Sequence, residues 1–76
     1  MLLISQNGEI IVHFDQVALV IEEDGAVYQI IASPYVDIGD NGYIMAEYYS
    51  KEDAIHQLDL VIDASQFARR FQFADA

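Results

Sequence analysis

The chain of 76 residues contains no cysteine and only one proline. Without cysteine it has neither a disulfide framework nor a zinc site built on thiolates, so its stability must come from packing or from a partner subunit. No apolar run reaches the length of a membrane-spanning helix. The N-terminus lacks the basic region and the long apolar run of a secretory signal. We therefore expect a protein that does not enter a membrane and that resides in the cytoplasm of a bacterial cell.

Positive charge is also scarce. Three Lys and Arg residues stand against 13 Asp and Glu residues, which gives a formal net charge of −10 at pH 7. Direct binding to DNA or RNA is not expected, because such binding depends on cations that neutralise phosphates. Two interpretations of the acidic surface remain open. It keeps a small hydrophobic protein soluble, or it attracts a basic surface on another protein.

Three Asn-Gly or Asp-Gly dipeptides recur at intervals of 17 residues: Asn7-Gly8, Asp24-Gly25 and Asn41-Gly42. Each lies between short apolar runs, a pattern typical of two-residue hairpin turns of type I′. Glycine accepts the positive φ that these turns require, and Asn and Asp tolerate it better than most residues. The spacing predicts three consecutive β-hairpins within residues 1–49.

The predicted turns fix which residues face each other across the strands. In the first hairpin, Leu3 lies opposite Val12 and Ile4 opposite Ile11, which gives apolar groups on both faces. In the second hairpin, we expect two apolar cross-strand pairs on one face. Those pairs are Leu19 with Ile30 and Ile21 with Tyr28.

A helix is predicted after Tyr49. Ser50 is a good N-cap, and Asp53 occupies the position at which a capping box prefers Glu or Gln. Apolar residues then recur at spacings of three and four, as on one face of a helix. Neither Gly nor Pro ends this pattern, and Arg69 and Arg70 suit a last helical turn. The predicted helix therefore covers about 51–71, with a short tail at 72–76.

These elements predict a single α+β domain spanning residues 1–76. An antiparallel meander of five to six strands would carry the C-terminal amphipathic helix across one face. The residues expected in the core are Leu3, Val12, Leu19, Ile21, Tyr28, Ile30, Leu58, Val61 and Ile62. Apolar residues on the opposite face of the sheet, such as Ile4 and Ile11, then need a second cover. A homodimer supplies one without any new sequence.

No residue pattern supports catalysis or a bound cofactor. Residues 37–42 resemble a calcium loop, but aligning Gly42 with the invariant glycine places Tyr48 where a bidentate glutamate is required. His13 and His56 have no second histidine or cysteine at ligand spacing. Serines are scattered, and no glycine-rich loop precedes a helix. We expect no metal, no cofactor and no enzymatic activity.

Two segments resemble small uncharacterised proteins of phages, prophages and Gram-positive bacteria. The first comprises residues 1–7 (MLLISQN) and 10–15 (IIVHFD). In the second, residues 43–54 (YIMAEYYSKEDA), a strand ending in tyrosine leads through Ser and acidic residues into an amphipathic helix that continues to Leu58, Val61 and Ile62. The resemblance implies no cofactor and no catalytic residue, and it favours a protein that acts by binding.

The favoured hypothesis is a small acidic protein-binding module, encoded by a phage, that inhibits a host protein by occupying its basic or nucleic-acid-binding surface. The acidic residues expected to bind are Glu22, Glu23, Asp24, Asp37, Asp40, Glu52, Asp59 and Asp63. The alternative is a structural or assembly protein whose function is its homo-oligomer interface. The residues expected at that interface are Ile4, Ile11, Phe67, Phe71 and Phe73. Phe67 and Phe71 could equally cap the core.

Overall fold

The computed structural model describes residues 1–35 and 42–76, and within them the chain forms six strands in two sheets and one α-helix. The α+β class is thus confirmed. In chain order the elements are β1 (Leu2–Ile4), β2 (Ile11–His13), a 3₁₀ turn (Phe14–Gln16), β3 (Val17–Asp24), β4 (Val27–Pro34), β5 (Tyr43–Tyr48), α1 (Lys51–Ala64) and β6 (Arg70–Gln72).

The strands divide into two sheets, so the prediction of one meander of five to six strands is wrong. Of the strands in residues 1–35 and 42–76, only β3, β4 and β5 form an antiparallel meander. The other sheet has the order β2-β1-β6, in which β6 runs parallel to β1. Helix α1 packs against all three strands of the meander. The sequence between β5 and the C-terminus therefore returns to complete the first sheet.

The first hairpin has the predicted register, with Leu3 opposite Val12 and Ile4 opposite Ile11. Its turn is not of type I′, because Gly8 has a φ of 78° whereas Asn7 does not have a positive φ. The connection is longer than two residues. The Ser5 amide donates to the Ile10 carbonyl at 2.8 Å, and the buried Ser5 hydroxyl accepts from the Ile10 amide at 3.0 Å. This side chain stands in for a backbone acceptor of the ladder.

The second hairpin turns one residue later than predicted. Its loop is Gly25-Ala26, so each residue of β3 faces a residue of β4 two positions later than predicted. Ile21 thus faces Ile30, and Leu19 faces Ala32. Gly25 has a φ of 61° and Ala26 does not have a positive φ, which is the pattern of a type II′ turn with glycine first. Because the shift is even, every side chain keeps its predicted face.

The third predicted turn lies partly outside the described residues, which include Gly42 but not Asn41. Strand β5 pairs with β4 through a bulge, because Ile30 faces Ala46 whereas Ile31 faces Ile44. Gly42 lies so close to β4 that a Cβ atom there would approach the Ala32 carbonyl oxygen to 2.5 Å. Only glycine fits this approach without a shift of the backbone.

Helix α1 begins as predicted and ends earlier than predicted. The Ser50 hydroxyl accepts from the Asp53 amide at 3.1 Å, which confirms the N-cap. The helix stops at Ala64 and not near residue 71, because residues 70–72 pair with β1. This pairing places Phe71 opposite Leu3, and Phe71 contacts Phe73 edge to face at a centroid distance of 5.4 Å.

Helix α1 packs on the meander with a face that overlaps the predicted one but is rotated from it. Ala54, Gln57 and Val61 are buried, and Leu58 packs partly against the core. Ile62 was expected in the core, but 55% of its surface is exposed. The other eight predicted core residues lie in the core or pack against it. The buried residues that the sequence pattern did not indicate are Ser5, Val17, Ala32, Met45, Ala46, Tyr48, Gln57 and Phe73.

The predicted C-terminal tail is part of the folded structure. The Phe73 amide donates to the Ile4 carbonyl at 3.1 Å. The Ala74 carbonyl accepts hydrogen bonds from the Tyr48 hydroxyl at 2.7 Å and from the Gln6 side chain at 2.9 Å. The Ala74 amide donates to the Gln57 side chain at 3.3 Å. Side chains from the first turn, β5 and α1 thus hold the residue that follows Phe73.

The buried Tyr48 phenol has a pKa raised from about 10 to about 12. Burial is the largest cause, followed by the negative charges of Asp75 and Asp53. Because the pKa of Tyr48 is higher in the folded state than in the unfolded state, its contribution to stability is fully present below about pH 10. The contribution is lost as the pH rises through the folded value of about 12.

Tyr48→Phe is therefore expected to change the alkaline part of the stability profile. At neutral pH the loss of one hydrogen bond costs about 1 kcal/mol of unfolding free energy. Above about pH 10 the stability of the wild type falls more steeply than that of the variant, so the difference between them narrows. Urea unfolding of both proteins from neutral pH to above pH 10 measures this. Curves that stay parallel throughout would contradict the assignment.

Candidate protein-binding surface

Every Asp and Glu side chain of the described residues is exposed. Two of the predicted binding residues, Asp37 and Asp40, lie outside the described residues. The other predicted acidic residues belong to two elements, namely the β3–β4 hairpin and helix α1. A carboxylate that stays in water carries no desolvation cost, so these described charges face the solvent without the penalty that burial would impose.

The first acidic cluster lies on α1. Glu52, Asp59 and Asp63 are spaced by seven and four residues, so they share one side of the helix together with His56. This side is opposite to the one that buries Ala54, Gln57 and Val61. We call the row Glu52, Asp59 and Asp63 the helix cluster.

The second acidic cluster is the tip of the β3–β4 hairpin, formed by Glu22, Glu23 and Asp24 at the end of β3. All three are exposed, and Asp24 immediately precedes the Gly25-Ala26 turn. Successive residues of a strand point to opposite faces, so Glu22 and Glu23 present charge on both sides of the sheet. We call these residues the tip cluster.

The basic residues are as exposed as the acidic ones, but they are few. Lys51 begins α1, while Arg69 and Arg70 lie at the start of β6. Three cations cannot neutralise 13 carboxylates at neutral pH. The surface field is consequently negative and extends over about a Debye length, which is about 8 Å at physiological salt.

The described residues contain no group of three or more His, Cys, Asp or Glu side chains placed to hold a metal ion. His13 is exposed in β2, and His56 is exposed in α1. The segment resembling a calcium loop, residues 37–42, lies almost wholly outside the described residues.

The residues predicted for an oligomer interface separate into different environments. Ile4 is half-buried and its partner Ile11 is 59% exposed on the outer face of the β2-β1-β6 sheet, next to exposed Leu2. Phe67 is 83% exposed in the turn after α1, and Phe71 is half-buried. Phe73 is 2% exposed and belongs to the core, so its ring offers no surface to a second subunit.

A groove between α1 and the start of β3 was not anticipated from the sequence. It has a volume of about 420 Å³ and a mainly apolar lining. The lining residues are Phe14, Asp15, Val17, Ala18, Leu19, Tyr35, Leu58, Val61 and Ile62. Exposed Ile62, which the sequence assigned to the core, instead forms part of this groove. The sequence held one indication of this groove, namely that the apolar stripe of the predicted helix extends to Ile62.

Within the described part of the chain, no helix has the length and apolar character needed to cross a membrane. No protein-family model, curated protein or solved structure matches this chain.

Proposed function

We propose that this protein is a non-catalytic binding module whose acidic surface occupies a basic surface of another protein. The observation that carries the proposal is the exposure of every described carboxylate, six of which form the helix and tip clusters. A nucleic-acid-binding surface is a basic surface of the required kind, because it is built to hold phosphates. Binding there would inhibit the partner by excluding its nucleic acid.

The physical basis is long-range attraction between unlike charges. A net charge of −10 on a chain of 76 residues steers a basic partner towards the protein and increases the association rate. Salt screens this attraction, so binding should weaken as ionic strength rises. The predicted resemblance to phage and prophage proteins favours a protein that acts by binding, as this proposal requires.

The experiment is capture from a bacterial lysate with the tagged full chain as bait, at about 50 mM and about 500 mM salt. Three variants each lose three negative charges. The helix variant is Glu52→Gln, Asp59→Asn and Asp63→Asn. The tip variant is Glu22→Gln, Glu23→Gln and Asp24→Asn. The matched control is Glu9→Gln, Glu47→Gln and Asp75→Asn, which neutralises exposed carboxylates outside both clusters.

We expect mass spectrometry to identify one basic protein that is retained at low salt and lost at high salt. Retention by the helix or the tip variant should fall about fivefold or more, whereas the control should retain most of the partner. Circular dichroism shows that each variant is folded. Equal retention by the control and by both cluster variants would contradict the proposal, as would a partner held equally well at both salt concentrations.

The second candidate is an assembly protein that functions as a homo-oligomer. Exposed Leu2 and Ile11 on the outer face of the β2-β1-β6 sheet, together with exposed Phe67, favour it. Deleting the residues after Ser65 does not test it, because that deletion removes β6 and the buried Phe73 ring. Light scattering on the wild type and on Ile11→Ser and Phe67→Ser tests it instead. A monomeric wild type would rule the candidate out.

A further inference from the structure

Strand β3 is an edge of its sheet. Among the described residues it pairs only with β4, along eight residues from Val17 to Asp24. The Tyr35 amide donates to the Gln16 carbonyl at 3.1 Å, just beyond the strand. In an antiparallel pair, hydrogen-bonded positions alternate. The even-numbered residues of β3 therefore bond to β4, and the backbone groups of the odd-numbered residues point outward. The position of Pro34 agrees with this pattern. Pro34 lacks an amide hydrogen, and it faces Val17, an odd-numbered residue that forms no hydrogen bond with β4.

The apolar part of this edge, residues 17–21, carries none of the protective features that the residues of a strand can themselves supply. Residues 17–21 of β3 read Val-Ala-Leu-Val-Ile, without a lysine, a proline or a bulge in their pairing with β4. Natural proteins commonly block exposed edges with such features, because an open edge pairs with any suitable strand. Among the residues of β3 itself, only the acidic tip cluster at the far end restricts what can pair here.

The apolar groove lies directly beside this edge. Leu19 lines it from β3, whereas Leu58 and Ile62 line it from α1. A strand added to β3 would direct every second side chain towards the helix side of the sheet. Apolar side chains at those positions would enter the groove. The site would then select for apolar side chains in addition to binding the extended backbone.

Negative charges border this region at several points. Asp15 lines the groove next to the start of β3, and the tip cluster ends the strand. On α1, Asp59 lies three residues before Ile62 and therefore adjoins it on the helix surface. A second copy of this chain would bring the same negative charges to the edge. A segment carrying lysine or arginine would instead be attracted along its whole length.

We propose that β3 and the adjacent groove bind an extended segment of the partner protein as an added strand, with apolar side chains in the groove and Lys or Arg side chains beside the acidic residues. A segment matching β3 contains about eight residues and spans about 26 Å. This inference rests on the proposed function, and it identifies the site and the chemistry of the segment that the site accepts.

The test uses random ten-residue peptides displayed on a library and selected against the immobilised full chain. Enriched peptides should combine Lys or Arg with alternating apolar residues. One enriched peptide, synthesised and added to the isotope-labelled protein, should shift the backbone amide resonances of Val17, Leu19 and Ile21 most strongly. The same amides should exchange with solvent more slowly in the complex, because the added strand accepts their hydrogen bonds.

Two matched pairs of variants test the groove and the strand edge. Ile62→Ser removes an exposed side chain that lines the groove, whereas Ile55→Ser removes one that is 43% exposed elsewhere on α1. We expect Ile62→Ser to weaken peptide binding about fivefold or more and Ile55→Ser less than about twofold. Glu23→Pro removes an outward amide hydrogen without breaking a bond to β4, and Glu23→Gln removes only the charge. The proline variant should weaken binding several times more than the glutamine variant.

The outcomes separate this inference from the function on which it rests. Basic peptides that bind but shift only amides of the helix cluster would overturn the β3 site and leave the acidic-surface proposal standing. A selection that enriches no peptide would overturn the β3 site, and the lysate capture would then decide on the acidic-surface proposal alone. Enrichment of acidic segments, or self-association through β3, would overturn the charge preference argued here.

Discussion

Phe73→Ala is expected to unfold this protein or to lower its melting temperature by about 12 °C or more. The Phe73 ring is 2% exposed, contacts the Phe71 ring, and fixes β6 beside β1. Removing a buried phenylalanine ring costs about 3 to 5 kcal/mol. A domain of this size has a total unfolding free energy of about 4 to 11 kcal/mol. One kilocalorie shifts the melting temperature of such a small domain by about 4 to 8 °C.

Phe67→Ala is the matched control, because the same truncation is made six residues earlier at a ring that is 83% exposed. Its unfolding free energy should lie within about 0.5 kcal/mol of the wild type. Urea unfolding followed by circular dichroism measures both variants. Equal stabilities of the two variants would show that the C-terminal strand does not complete the first sheet.

The register of the first hairpin could be predicted because the actual connection, although longer than the predicted two-residue turn, is centred on the same Asn7-Gly8 pair. The second hairpin was misplaced by one residue, because Asp24-Gly25 and Gly25-Ala26 are both acceptable two-residue turns. The type I′ and type II′ alternatives differ in which residue takes positive φ, and only Gly25 does so. Each side chain nevertheless lies on the predicted face of the sheet, because the pairing shifted by two residues and successive residues alternate between faces.

The helix end could not be predicted from local pattern. Residues 65–71 contain no glycine or proline, and Phe67 and Phe71 have helical spacing. Pairing of β6 with β1 joins residues almost 70 positions apart, such as Leu3 with Phe71. Residues 70–72 form this strand and do not continue helix α1. Local propensity carries no information about such a partner. The same cause explains why Phe73 was assigned to an interface and Gln57 was not assigned to the interior.

The exposure of the helix and tip clusters could be predicted from the sequence, because ionised carboxylates avoid burial in any fold. The groove and the open edge were not predicted, because both depend on strand order. The sequence shows that Val17 to Ile21 is apolar, but it does not show that no described strand covers the outer side of β3. Likewise, the helical periodicity around Ile62 indicates an apolar face without showing where the sheet ends beneath it.

A large dependence on ionic strength is the second major expectation. Association between a chain of net charge −10 and a basic protein is accelerated by their mutual field, and salt removes that acceleration. Dissociation depends on short-range contacts and responds less to salt. Most of the change in affinity should therefore be found in the association rate constant.

The most direct measurement is the association rate constant between this protein and the partner that it captures, recorded by stopped flow from about 20 mM to about 500 mM salt. We expect the rate constant to fall about tenfold or more over this range, and to be both lower and less salt-dependent for the helix or tip variant. A rate constant that is unchanged by salt, and equal for the wild type and both cluster variants, would contradict the assignment of the acidic surface as the binding surface.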